Sequence, residues 1–176
     1  MSLEDKIKST IRDVPDFPKP GILFKDISPI MLDPGLSEEI VQQLARKYSE
    51  NPPDAIAGIE SRGFLFGYPL AMKLGVPFVL IRKEGKLPYK KVRFAYQLEY
   101  GEAVVEMHND AVREGNRVLI HDDLLATGGS AAAAASLIKQ VGGEVYGFSF
   151  LVSLDFLDGE KKLTDFSDNI YNLVRF

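Results

Sequence analysis

Apolar positions in this chain recur in two periods, and the two periods alternate. Leu36, Ile40, Val41, Leu44 and Tyr48 follow one another at helical spacing just after Asp33-Pro34, a pair suited to opening a helix. The charged stretch 3–11 predicts an earlier helix. Short apolar runs at 55–59, 78–81 and 118–120, and a longer one at 144–152, predict strands. Residues 64–74 predict a helix that Pro69 should kink or end early. Stretches 98–100 and 103–107 flank Gly101 and predict a hairpin. A helix over 131–141, opening on five alanines, should stop at Gly142-Gly143. The proline-rich stretch 14–32 (the hood segment is taken as 14–34) reads as irregular and predicts a small N-terminal hood over the main sheet. This alternation predicts an α/β fold: one domain over 1–176, with a mostly parallel twisted sheet flanked by helices. Its site should lie at the carboxyl ends of the strands.

Composition narrows the chemistry. The chain has no cysteine, which excludes disulfides, thiolate nucleophiles and cysteine-held metals and fits an intracellular, cytoplasmic protein. Two histidines, His108 and His121, are too few for a histidine metal cluster. The N-terminus lacks an apolar signal core, and no apolar run approaches the ~20 residues of a membrane span. The net charge of -4 argues against a nucleic-acid partner. That charge is unevenly spread. Between Arg82 and Arg93, six basic residues face the single acid Glu84, and Gly85 and Pro88 interrupt the run. A solvated loop is the plain reading of such a run. In a phosphate-handling enzyme it becomes a mobile basic lid over 82–97 that closes on the substrate and excludes water.

The chemistry concentrates in 117–136, RVLIHDDLLATGGSAAAAAS. An apolar run delivers Asp122 and Asp123, a small-residue turn Thr127-Gly128-Gly129-Ser130 follows, and a helix begins. Backbone N–H groups of such a loop, with the positive end of a helix dipole, cradle a phosphate. Glycines let the backbone approach the anion, and the Thr127 and Ser130 hydroxyls add donors. The two carboxylates suit the vicinal hydroxyls of a ribose. A plain helix cap is the alternative. Neither a GxxxxGK[ST] phosphate loop nor a GxGxxG dinucleotide fingerprint occurs. A second cluster, Glu60-Ser61-Arg62-Gly63-Phe64, follows the 55–59 strand and precedes a helix, which suits another anion site. The planar fork of Arg62 binds two oxygens at once, although a surface arginine in a turn is the alternative.

These motifs resemble the type I phosphoribosyltransferases, which displace pyrophosphate from phosphoribosyl pyrophosphate (PRPP) with a nitrogen nucleophile. The resemblance is sharpest to the adenine phosphoribosyltransferase family. It rests on DFPKPGILFKDISPIMLDP (16–34), AGIESRGFLFG (57–67), PFVLIRKEGKLP (77–88), YQLEYG (96–101), VLIHDDLLATGGS (118–130) and LDFLDGEKKL (154–163), in that family's order and over nearly the whole chain. Hypoxanthine-guanine enzymes usually carry Glu-Asp where this chain has Asp122-Asp123.

The resemblance implies transfer of the phosphoribosyl group to adenine, giving AMP in purine salvage, by a homodimer. It implies that Asp122 and Asp123 hold the ribose hydroxyls while Ala126, Thr127, Gly128, Gly129 and Ser130 wrap the 5′-phosphate. Ser61, Arg62, Arg82 and Lys86 would bind pyrophosphate with Lys83 beside them, Arg62 and Lys86 sharing in catalysis. Leu23 and Lys25 would read adenine through their backbone, with Phe24 stacking and Leu124 touching the base; Phe24 as simple core is the alternative. Glu99 would be the catalytic carboxylate, as proton acceptor or as stabiliser of the cationic ribose, against a plain exposed strand residue. Mg2+ would be held mainly by PRPP oxygens and water, without a firm direct protein ligand. A xanthine or guanine phosphoribosyltransferase, or a non-catalytic PRPP sensor, would share the same sugar-phosphate motifs. Three positions depart from the family pattern: Ser130 for the commoner threonine, Glu84 in the basic loop, and Glu160 at a place often basic.

Overall fold

The computed structural model describes residues 1–97 and 101–176, so the expected strand at 98–100 and Glu99 lie outside the described residues. Helix α1 (Leu3–Thr10) opens on a reciprocal cap: the Asp5 N–H donates to Ser2 Oγ (3.1 Å), and the Ser2 N–H donates to Asp5 Oδ2 (3.0 Å). Strands β1 (Arg12–Pro15) and β2 (Leu23–Asp26) then pair antiparallel, with Val14 opposite Phe24. The hood is therefore a hairpin followed by a 3-10 turn at Ser28–Leu32, where the sequence predicted irregular chain. Pro15 ends β1 while Pro18 and Pro20 lie in the connecting turn, so the hairpin's prolines cost few ladder bonds. Helix α2 (Pro34–Tyr48) starts where predicted, with the Leu36 N–H donating to the Asp33 carboxylate (2.9 Å).

The remaining elements are β3 (Ala55–Ile59), α3 (Gly63–Leu74), β4 (Phe78–Lys83), β5 (Lys91–Gln97), β6 (Glu102–His108), β7 (Arg117–Leu125), α4 (Gly129–Gln140), β8 (Glu144–Ser153), α5 (Glu160–Leu163) and β9 (Ile170–Arg175). Among the described residues they build a sheet of order β5-β6-β4-β3-β7-β8-β9, parallel from β4 to β9, with β5 and β6 antiparallel at one edge. Alternation along the strands divides the core. Ala55, Ala57 and Ile59 pack with Val118, Ile120 and the alanines of α4, while Ile56 and Leu119 pack with α1, α2 and α3.

Helix α3 covers the helix expected over 64–74, runs through Pro69 to Leu74 and does not end early there. The carbonyl that Pro69 cannot serve belongs to Leu65, an exposed residue. Two other local expectations are corrected. The expected loop over 82–97 is largely sheet: Arg82 and Lys83 end β4, and Lys91–Gln97 is β5, paired along its length with β6. Val92, Phe94 and Tyr96 pack on the core while Arg93, Ala95 and Gln97 face water, a period-2 pattern that the neighbouring charges disguise. Only 84–90 lies outside regular structure, and even there Leu87 is buried. Finally, β7 continues to Leu125, so Asp122 and Asp123 stand within the strand and not after it.

Topology fixes where a site can form. From β3 the chain passes through α3 to β4 on one side, whereas β7 lies on the other side and leads into α4 on the opposite face. A crevice opens between such diverging connections, outside the carboxyl ends of β3 and β7.

Candidate active site

At the end of β7 the backbone turns sharply into α4. Gly128 has φ 78°, a conformation that favours glycine, and α4 begins without any capping side chain. Its first residues, Gly129 to Ala131, line a small pocket, and their N–H groups have no partner within the helix, an arrangement suited to an anion. Asp122, residues 124–131 and Phe150 line this pocket. The predicted phosphate loop and one predicted ribose carboxylate are therefore brought together. Ser130 also meets a group that the sequence did not connect with it: its hydroxyl lies 3.1 Å from that of Tyr96 on β5.

The two carboxylates stay close enough to act on each other. Asp122 faces the phosphate pocket, and its Oδ1 accepts the Asp123 N–H at 2.9 Å. Asp123 is buried and lies 3.0 Å from Nε of Arg62. Burial, and then the adjacent Asp123 carboxylate, push Asp122 well above the usual carboxylate range. Burial also raises Asp123, against the pull of Arg62. Two acids are thus held in a setting that disfavours their charge, ready to gain from hydroxyl donors or a cation.

Arg62 joins this pair to the hood. Its guanidinium carbon stands 5.2 Å from the centre of the Phe24 ring while Nε holds Asp123. The hairpin thus reaches the mouth of the crevice, where Phe17 packs edge-on to Phe24 at 5.1 Å. Leu23 is exposed, and β2 pairs with β1 alone among the described residues. The side chain of Lys25 is engaged elsewhere, pairing with Asp13 (2.6 Å) and lying over the Phe176 ring. Its backbone is what remains to offer.

Across the crevice stand Ser61, Arg82, Lys83 and Lys86, organised by Glu60. Glu60 Oε1 lies 3.3 Å from both Arg82 Nη2 and Lys86 Nζ, and Oε2 accepts the Lys83 N–H at 2.8 Å. Burial works to raise the Glu60 carboxyl, but the Lys83 N–H and the two cations outweigh it and leave it lowered. Arg82 also donates through Nη1 to the Lys86 carbonyl (2.8 Å), so its fork ties β4 to the following turn. Glu60 heads the ESRGF motif, and the sequence offered only Ser61 and Arg62 from it. Glu106, buried under the same turn, accepts the Gly85 N–H (3.1 Å) and pairs with Lys91 (3.1 Å). Glu84, one of the departures, pairs with Arg93 and so withdraws from the pyrophosphate side. Glu160 accepts from Asn172 (2.6 Å) and Arg175 (2.7 Å), which gives it a structural place the sequence did not suggest.

Comparison with known proteins agrees with this geometry. The sequence profile of the phosphoribosyl transferase domain matches residues 31–170. The chain is 53% identical over 174 residues to the adenine phosphoribosyltransferase of Cytophaga hutchinsonii, covering 99% of this chain and 96% of that one. It is 52% identical over 172 residues to that of Ureaplasma parvum, covering 98% of each. The crystal structure of adenine phosphoribosyltransferase from Thermoanaerobacter pseudethanolicus superposes with a TM-score of 0.94 at 49% identity, over 99% of this chain and 100% of that one. The Saccharomyces cerevisiae enzyme, solved with adenine and an imino-altritol bisphosphate, gives a TM-score of 0.90 at 40% identity, over 97% of this chain and 98% of that one. With the phosphate loop, the acid pair and the cationic cluster assembled at one crevice, the chain belongs to the adenine phosphoribosyltransferases of the phosphoribosyltransferase family.

Proposed function

We infer that this protein transfers the 5-phosphoribosyl group of PRPP to adenine, giving AMP and pyrophosphate. The observation that carries this reading is the pairing of two anion sites across one crevice. The uncapped start of α4 beside Asp122 suits a 5′-phosphate and ribose. The cations gathered around Glu60 suit a diphosphate. The base would enter between them under the hood, its ring against Phe24 and Leu124 and its edge along the backbone of Leu23 and Lys25.

In this reading the bond from the anomeric carbon to pyrophosphate breaks as the purine nitrogen attacks from the opposite face. The electron pair leaves with pyrophosphate, where Arg62 and Lys86, with Lys83 and Arg82 beside them, offset the growing charge. Ser61 adds a donor at the start of α3. The purine's proton passes to Glu99 or to water, or Glu99 stabilises the cationic ribose. Mg2+ would be carried on substrate oxygens and water, and the Asp122 carboxylate beside the sugar-phosphate pocket is of the hard-oxygen kind that could hold one of those waters. When bound, the ion neutralises charge on the leaving pyrophosphate.

The turn at 84–90 would close over the diphosphate, a role supported by the exposed side chain of Lys86 and by Gly85. A homodimer is supported by exposed apolar side chains: Leu65, Tyr68 and Met72 of α3, Leu80 of β4, and Met31 and Leu32. The location would be cytoplasmic. No helix among the described residues is long and apolar enough to cross a membrane. A parallel assay with adenine, guanine and xanthine tests the base assignment: adenine with PRPP and Mg2+ should give AMP and displace the other bases in competition. Preferential GMP or XMP formation would assign another purine, and PRPP binding without turnover of any base would leave a sensor.

A further inference from the structure

The phosphate loop does not stand alone; it leans on the segment after β8. An ideal Cβ on Gly128 would lie 2.5 Å from the carbonyl oxygen of Gly159, and one on Gly159 would lie 2.2 Å from the carbonyl oxygen of Ala126. Backbone thus meets backbone behind the loop, with no room for a methyl group on either side. The Leu154 N–H donates to the Leu125 carbonyl (2.9 Å), which fixes the same segment where β7 enters the loop. Gly159 is itself held in place. The next residue, Glu160, accepts from Asn172 (2.6 Å) and Arg175 (2.7 Å) of β9, and Arg175 also donates to Asp155 (3.1 Å). Leu163 of α5 is fully buried in the core beneath α4.

We propose that Gly159 is a positioning residue for the donor substrate: its backbone, tethered to β9 through Glu160, sets the shape of the 126–130 loop that receives the 5′-phosphate. This deepens the functional reading above and rests on it. A loop whose N–H groups must converge on one anion loses affinity when its carbonyls shift by less than an ångström. The base enters from the hood, remote from this contact, so the effect should fall on PRPP and not on adenine.

Steady-state kinetics of Gly159→Ala and Glu160→Ala beside the wild type test the proposal, with thermal midpoints measured alongside and ribose 5-phosphate as a competing ligand. Gly159→Ala should raise KM for PRPP at least tenfold and weaken ribose 5-phosphate competition similarly, with KM for adenine changed less than twofold. Glu160→Ala, which keeps the glycine and loses only the half-buried tether, should show the same split at three- to tenfold. Should Gly159→Ala fail to fold, the Glu160→Ala split decides. An unchanged KM for PRPP in a folded variant, or equal rises for both substrates, overturns the proposal. Absence of PRPP turnover in the wild type would instead overturn the functional reading on which it rests.

Discussion

His121 stands fully buried in β7, one residue before the acid pair, its Nδ1 3.2 Å from the hydroxyl of Ser149. Burial lowers its pKa from 6.5 to about 4, so it is neutral at physiological pH. The unfolded chain therefore binds a proton that the folded chain refuses between those values. Stability is intact above about pH 6.5 and is lost as pH falls toward 4, by about 1.4 kcal/mol per pH unit from this group. Between pH 6.5 and 5.0 the stability lost by the wild type in urea unfolding should exceed that lost by His121→Gln by about 1.5 kcal/mol; equal slopes for both proteins would refute it. Asp122 carries the opposite sign: its pKa is raised, so its cost grows as pH rises through that value. Glu99 rests on the YQLEYG resemblance. Replacing it with Gln keeps size and polarity but removes charge and basicity, so turnover should fall roughly 10²–10⁴-fold with both KM values little changed. Near-normal turnover would demote it to a bystander.

The elements show how far local signals carry. Strand β3 and the start of α2 match the sequence because each is written in adjacent residues: an apolar run, and Asp33 before Pro34. Strand β5 was hidden because Lys91 and Arg93 alternate with Val92 and Phe94, and charge masked the pleat. The basic stretch consequently divides into a strand locked to β6 and a turn at 84–90 held by Glu60 and Glu106. Hydrogen exchange should separate them. Amides of β5 paired with β6 should be protected with or without ligand, while those of 84–90 should gain protection when PRPP and Mg2+ bind. A turn whose exchange ignores the ligand would rule out closure over the diphosphate.

For the whole molecule, the α/β class and the location of the site followed from alternating elements, because parallel strands with helices on both faces leave few places for a crevice. Contacts between distant segments could not be read this way. Glu60 meets Arg82 across 22 residues of chain, and Gly159 meets Gly128 only because β9 draws the C-terminal segment behind the loop. Nothing in the sequence alone foretold that Asp123 would pair with Arg62 while Asp122 lines the pocket at the start of α4. The central claim is that this crevice holds the phosphoribosyl donor through both acids, and the double variant Asp122→Asn with Asp123→Asn tests it most directly. Each lost charge-assisted hydrogen bond costs about 1.5–3 kcal/mol, so kcat/KM for PRPP should fall about 10²–10⁴-fold. The thermal midpoint should hold or rise, since both carboxylates are raised by burial in the folded protein. A folded double variant with unchanged kcat/KM for PRPP would contradict the account.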